Sequence, residues 1–220
     1  NTEALNKIIR VFRMAGCKES DVYSTASIYS HKLNPTAQTA EGCAQRAIKQ
    51  EKYTEALAFY DEALQLEEID SLKYDYAYAK AAILRQLGRY AEARSAAYQA
   101  ISFNGKEGEP YILIATMYAD SNPFGDDKIL AKTVYWAAVD KLEKAKSIDP
   151  ACSEAAQKLI SAYRQHYPSK EDVFFKPELK PGTMFHIGGW MNPVTTDISV
   201  FANTTVSKWL WLEIPKQVPI

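Results

Sequence analysis

One string constrains this chain more than any other: Glu51–Leu66, EKYTEALAFYDEALQL. Tyr53, Ala56, Leu57, Tyr60, Ala63 and Leu64 recur three and four residues apart, which places them on one face of a helix. The pattern returns as GRYAEARSAAYQAI and, more loosely, as TVYWAAVDKLEKAKSIDP. Tyr90, Ala93 and Ala100 each lie 37 residues after Tyr53, Ala56 and Ala63. Three landmarks sharing one offset mark a repeated unit. Such a unit cannot bury its apolar face alone, so copies must stack into a helical array.

In the first clear unit, a helix over Thr39–Gln50 pairs with one over Tyr53–Leu66. In the second, Tyr74–Leu87 pairs with Tyr90–Phe103 around a turn at Gly88, and the excess over a roughly 34-residue period fits an extension around Ser71–Lys73. The third unit, Glu109–Pro150, opens with Pro110–Ala119. Its second helix starts at Lys128 or Thr133 and closes at Ser147, before Asp149-Pro150. Ala138 and Ala145 lie 45 residues after Ala93 and Ala100, so this unit carries an insertion, Asp120–Asp127, read DSNPFGDD. Its Asp residues lack the spacing and closing Glu of a calcium loop, and Asn122-Pro123 and Gly125-Asp126 signal turns; it reads as a connecting loop.

Upstream, Leu5, Ile8, Ile9, Phe12 and Arg13 form a helical stripe stopped at Gly16. Ser20-Asp21 can cap a second helix over Val22–Leu33, which Asn34-Pro35 ends. Residues 1–36 thus form a degenerate helix pair, or the last part of an array cut at its start. A start at Asn1 without Met or a leader-like segment suggests a processed form or a fragment. Downstream, Cys152–His166 is a lone amphipathic helix with Ala156, Leu159, Ile160 and Tyr163 inward, suited to cap the stack. The array proper is 37–167.

From 168 to 220 the period drops toward two and Pro and Gly accumulate. Thr183–Trp190, Asp197–Ala202 and Lys208–Ile214 read as strands of a small antiparallel sheet packed on the array, with a turn at Asn192-Pro193. Asn203-Thr204-Thr205 fits a glycosylation sequon but reads as a turn. The expected fold is mainly α with a short C-terminal β segment.

Composition narrows the chemistry. A formal net charge of −1 gives no case for nucleic acid or an anionic membrane. No apolar run is long enough to span a bilayer. Cys17, Cys43 and Cys152 are far apart, form no metal-binding motif and read as small buried hydrophobes. His31, His166 and His186 stand near no nucleophile motif, and no phosphate-binding Gly loop is present. His186 reads as a structural histidine and Gly188-Gly189 as a bulge. The sequence therefore predicts no catalytic residue, cofactor or metal.

The repeats resemble the tetratricopeptide repeat (TPR) family. Tyr53, Ala56, Tyr60 and Ala63 carry the resemblance in one unit, and Gly88, Tyr90, Ala93 and Ala100 in the next. Tyr118, Tyr135, Ala138, Ala145 and Asp149-Pro150 carry it in the third. The first two units lack the closing Pro. The resemblance implies a right-handed α-solenoid of antiparallel helix pairs whose first helices line a concave groove for a peptide or partner protein. A narrower one, over about Tyr111–Val200, rests on YWAAVDKLEKAKSIDP, YPSKEDVFF and Gly188-Gly189-Trp190. It is similar to the C-terminal part of exported TPR proteins of Gram-negative gut anaerobes, and implies the periplasm or cell envelope, with the cytoplasm as the alternative.

The register of the repeats assigns groove positions. In the first unit these are Gln38, Glu41, Gln45 and Lys49. Asp75, Tyr78, Ala82, Arg85 and Gln86 follow, then Ile112 and Thr116, then Gln157, Ser161 and Arg164. Amide, Tyr and Arg side chains at such places suit hydrogen bonding to an extended backbone. The carboxylate clamp of co-chaperone TPR domains needs Lys and Asn where this chain has Glu41, Gln45, Ala79, Glu109 and Leu113. The reading is a non-catalytic scaffold or adaptor that holds a protein or peptide in the groove. The rival is a structural subunit of an envelope assembly that contacts partners through the β segment. A third reading is glycan stacking on Trp190, Trp209, Trp211 and Phe174-Phe175.

Overall fold

The computed structural model describes residues 2–179, 183–191 and 194–197. The described chain is mainly helical. Helix α1 spans Thr2–Met14, α2 Asp21–Leu33, α3 Ala37–Lys49, α4 Tyr53–Leu66, α5 Asp70–Gln86 and α6 Tyr90–Phe103. Then come α7 at Glu109–Ala119, the short α8 at Lys128–Ala131, α9 at Val134–Ile148, α10 at Ser153–Arg164 and the short α11 at Lys170–Phe174. Consecutive helices pack on one another in repeat-like pairs, with α9 taking the place beside α7 and α10 packing on α9. Helix α5 also touches α7 directly.

Helix starts follow local chemistry. The Ser20 side chain accepts from the Val22 N–H at the start of α2, and Thr36 and Thr39 form a reciprocal capping box on α3. Helix ends share a motif. After α5, Gly88 has φ +71°, with Gly88 N–H bonded to the Arg85 carbonyl and Arg89 N–H to the Leu84 carbonyl. After α3 the same two bonds run from Glu51 to Ile48 and from Lys52 to Ala47, but Glu51 takes the left-handed conformation, φ 58°. This is the paired-bond stop in which Gly is the low-strain residue. Glu51 and Gly88 hold equivalent places, so the repeat extends to its turns.

The core is built from alanines at helix crossings with large residues between them. Ala40, Ala44, Ala56, Ala63, Ala81, Ala93 and Ala97 are sealed, and Tyr60, Tyr76, Tyr118 and Trp136 fill the gaps. Helices α2 and α3 approach closely at Gly42, where a Cβ would overlap the Ser27 side chain. The N-terminal helices α1 and α2 share a smaller core of Ile9, Tyr23 and Ala26.

Several boundaries differ from those expected. The extension around Ser71–Lys73 is not a loop: it lengthens α5 by a turn, back to Asp70. The second helix of the third unit is split into α8 and α9. The Ser169-Lys170-Glu171-Asp172 stretch forms a capping box that opens α11, an element the periodicity did not indicate. Cysteine burial holds only for Cys43; Cys17 is exposed and Cys152 half-buried. Cys17 follows the end of α1 and Cys152 closes the short 3-10 turn before α10.

The β segment is shorter than expected in its described part. Strand β1, Met184–Ile187, pairs antiparallel with β2, Val194–Asp197, in the register Met184↔Asp197 to Ile187↔Val194. Strand β1 stops early because the chain turns through a 3-10 helix at Gly189–Met191, with Gly189 at φ +67°. The second strand precedes the stretch expected to form it: the β-branched Val194-Thr195-Thr196 run pairs, and 198–202 lies outside the described residues. So do the Asn192-Pro193 turn, the sequon and the expected strand at 208–214.

This segment folds back over the third helix pair. Leu179, Phe185, Ile187 and Met191 are buried in the main core. The inserted loop receives it. Phe124 meets Phe185, with ring centroids 6.0 Å apart, and the Trp190 N–H donates to Ser121 Oγ at 3.0 Å. Lys176 pairs with Asp127, whose carboxylate also caps α8. Lys132 pairs with Asp172 at 2.7 Å. The insertion is therefore a docking seat rather than a plain connection.

Candidate functional site

The residues assigned to a groove divide into two groups. The first is taken up by the fold. Glu41 is 4% exposed and does not face a ligand: it forms an ion pair with Arg13 from α1 and another with Lys18 at 2.9 Å, and accepts from the Tyr23 hydroxyl. A carboxylate this buried is held by its cations, so the groove assignment of Glu41 is corrected. Gln45 donates to the Tyr60 hydroxyl at 3.0 Å, binding α3 to α4. Gln86 is exposed and donates to the Tyr53 hydroxyl at 3.0 Å. Gln38 differs: its side chain is exposed, and only its backbone carbonyl is engaged, accepting from the Tyr23 hydroxyl. Gln157 accepts from Lys146 and Arg164 donates to Glu143, which join α10 to α9.

The second group lies on α5 and α7, with Tyr163 of α10 beside it. Arg85 on α5 donates to Asp120 at the end of α7, 3.2 Å away, through side chains about half exposed. Thr116 lies one turn before Asp120 and turns its hydroxyl back to the Leu113 carbonyl at 2.8 Å. Tyr78 stands two turns before Arg85 and stacks on Tyr74, with centroids 6.1 Å apart and the rings 1° from parallel. Burial raises the Tyr78 phenol, and Glu109 and Cys152 add to this while Arg85 opposes it. Burial, then Asp120 and Tyr135, raises Tyr163 on α10, again against Arg85. Tyr163 continues into an aromatic run: Tyr135 at 5.6 Å and, beyond it, His166 stacked on Tyr135 at 4.9 Å.

This surface offers two half-buried phenols, an exposed ion pair, and the exposed carboxylate of Glu109 at the first position of α7. It can accept and donate hydrogen bonds and present ring faces. Among the described residues no group of His, Cys, Asp or Glu is placed to hold a metal ion. His186 lies exposed on β1. His31 bridges three helices, with Nδ1 3.0 Å from Thr39 Oγ1 and Nε2 3.4 Å from Glu62.

Asp120 and Tyr163 were not among the groove positions. The turn signals place Asp120 in the loop, and the helical period places Tyr163 on the inward face of its helix, where it does pack on the core while staying partly exposed. The 35-residue separation of Arg85 and Asp120, close to one repeat, was the available signal. Among the described residues the expected aromatic cluster does not assemble. Trp190 packs on Tyr90 and Tyr118 and under the Arg94 guanidinium. Phe174 and Phe175 instead stand exposed, edge to face with each other; Trp209 and Trp211 lie outside the described residues. Compared with models of known protein families and with curated proteins, the sequence matches none.

Proposed function

We propose that this chain is a TPR-type solenoid acting as a non-catalytic scaffold, and that the face of α5, α7 and α10 holds an extended peptide or a partner protein. The observation that carries the reading is the exposed Arg85–Asp120 pair joining α5 to α7, with the partly exposed Tyr78 on α5 and Tyr163 on α10. The two rings rest on the core yet stay partly exposed, the ion pair is about half exposed, and Tyr and Arg are among the residues that most often dominate binding surfaces. No helix among the described residues is long and apolar enough to cross a membrane. Placement in the periplasm or envelope rests on the resemblance to exported TPR proteins.

The test is capture of partners from native cell extracts by the wild-type protein and by a Tyr78→Ala/Arg85→Ala variant of equal helicity. Loss of one protein with the variant supports the reading. An identical set with both overturns it.

The second reading, a structural subunit that makes contact through the C-terminal segment, is favoured by one feature. Phe174, Phe175 and Met184 are 76%, 73% and 62% exposed in a segment otherwise anchored to the core. Large apolar side chains this open mark contact surfaces when they adjoin. A Phe174→Ser/Phe175→Ser variant that loses capture, while the Tyr78/Arg85 variant keeps it, would move the function there.

A further inference from the structure

We infer that the α1–α2 pair is a hinged cap, which swings off α3 as a unit about Asn34-Pro35-Thr36 while the array from α3 onward stays folded. The apolar interior is divided at this joint. Ile9, Tyr23 and Ala26 form the cluster of the pair, with Leu5, Ile8 and Phe12 packed on it, and it shares no residue with the main core, which begins at Ala37. The backbone is divided there too. Helix α2 ends on its own bond, from the Asn34 N–H to the Ser30 carbonyl, and α3 starts on its own capping box between Thr36 and Thr39. No backbone hydrogen bond crosses from one side to the other among the described residues. Asn34 and Thr36 are both extended, with φ −154° and −138°, so the joint can turn without melting either helix.

What holds the cap closed is largely polar. Arg13 and Lys18 pair with Glu41 of α3, and the Tyr23 hydroxyl reaches the same carboxylate and the Gln38 carbonyl, each at 3.4 Å. Lys49 and Arg46 of α3 meet Asp21 at 2.8 and 3.6 Å, and pairs this exposed contribute little. His31 bonds Thr39 at 3.0 Å, and its ring meets Phe59 of α4 edge-on at 5.6 Å. The close approach of the two helices, Ser27 on Gly42, offers little apolar surface to bury. A unit joined in this way opens at less cost than the whole fold.

Opening has two consequences. Arg13 and Lys18 leave with the cap, so a neutralised carboxylate becomes an acidic position on α3, at the place the repeat register gives to the groove. Opening also bares Cys43. That side chain is 5% exposed and lies one turn after Thr39, which His31 of α2 meets, and one turn before Arg46, which reaches Asp21. Burial pushes its thiol up to about 11, so the closed protein offers almost no thiolate near neutral pH.

The test uses the full chain with Cys17→Ser and Cys152→Ser, which leaves Cys43 as its one thiol. Labelling by an aromatic disulfide reagent is followed beside amide hydrogen exchange, without denaturant. Cys43 is expected to react at least about tenfold faster than global opening allows, as set by the slowest amides of α5 and α6. The amides of α1 and α2 are expected to exchange with it. Glu41→Gln keeps the shape of the side chain and removes its charge. It is expected to speed Cys43 labelling by about tenfold and to leave α5 and α6 unchanged. Labelling no faster than the slowest exchange of α5 and α6 overturns the cap. So does equal protection of α1, α2, α5 and α6, or a Glu41→Gln variant that speeds Cys43 and α6 alike or changes neither. Should that variant fail to fold, the reporter with Glu41 intact decides the question.

Discussion

The indole N–H of Trp190 donates to the hydroxyl of Ser121 at 3.0 Å, tying the segment after the last array helix to the loop inserted in the third helix pair. The same ring lies between Tyr90 and Tyr118, and the Arg94 guanidinium sits over it at 5.4 Å. Trp190→Ala removes these contacts at once. It is expected to destabilise the protein by about 2–3 kcal/mol, the lower part of the range for aromatic truncation, because the ring is half-buried. Urea unfolding followed by far-UV circular dichroism measures the loss. An unchanged midpoint would show that the segment is an ornament rather than a clasp.

The clasp is also sensitive to acid. The Leu130 N–H and then Lys176 hold the Asp127 carboxyl below its usual value. Lys132, followed by the Ser169 N–H, does the same for Asp172. A depressed folded-state pKa means stability fully present above the unfolded value of about 4 and lost as pH falls through the lower folded values. The segment is therefore expected to loosen below about pH 4, seen as loss of the Trp190 indole resonance by NMR. Asp127→Asn/Asp172→Asn should flatten that acid dependence.

Glu51 occupies a left-handed position that Gly88 fills one unit later. A residue with a Cβ there is strained by about 1–2 kcal/mol, so Glu51→Gly should stabilise the protein by about 1 kcal/mol. Gly88→Ala should cost a similar amount, about 1 kcal/mol. Thermal unfolding of the two variants gives shifts of opposite sign if the turns are equivalent.

Glu41 joins the N-terminal helix pair to the rest. Its side chain is 5% exposed and its partner Arg13 14%. Glu41→Ala leaves Arg13 and the half-buried Lys18 facing each other without a carboxylate. Burial already lowers the Lys18 ammonium, followed by repulsion from Arg13. The expected loss is about 3 kcal/mol, as for breaking a buried pair. Hydrogen exchange should rise across α1 and α2 while α5 and α6 stay protected. Equal loss of protection in all helices would mean the pair does not act locally.

Much of the helical framework was legible because its causes are local. The bounds of α4 and α6 coincide with the expected Tyr53–Leu66 and Tyr90–Phe103. Alanine spacing and the turns at Glu51 and Gly88 lie within the segments they define. The candidate site was less legible. Repeat register treats the first helix of each unit as equivalent, but Glu41 is claimed by Arg13, 28 residues upstream, which has no counterpart later in the array. Asp120 belonged to a loop by its turn signals, although its carboxylate answers Arg85 on another helix. The inserted loop was read as a connection because its partners, Lys176 and Trp190, lie 49 and 69 residues downstream, beyond any local pattern.

Stacks in which each unit touches only its neighbours fray from their ends, one unit at a time. The bond from Arg94 on α6 to the Met191 carbonyl, 2.9 Å long, departs from that rule by spanning 97 residues. It pins the second clear helix pair to chain that follows the last array helix. Met191 is thereby held to a helix pair that precedes the one its segment covers. During synthesis, α6 therefore gains its last partner only after Met191 has left the ribosome, 97 residues after Arg94 was made.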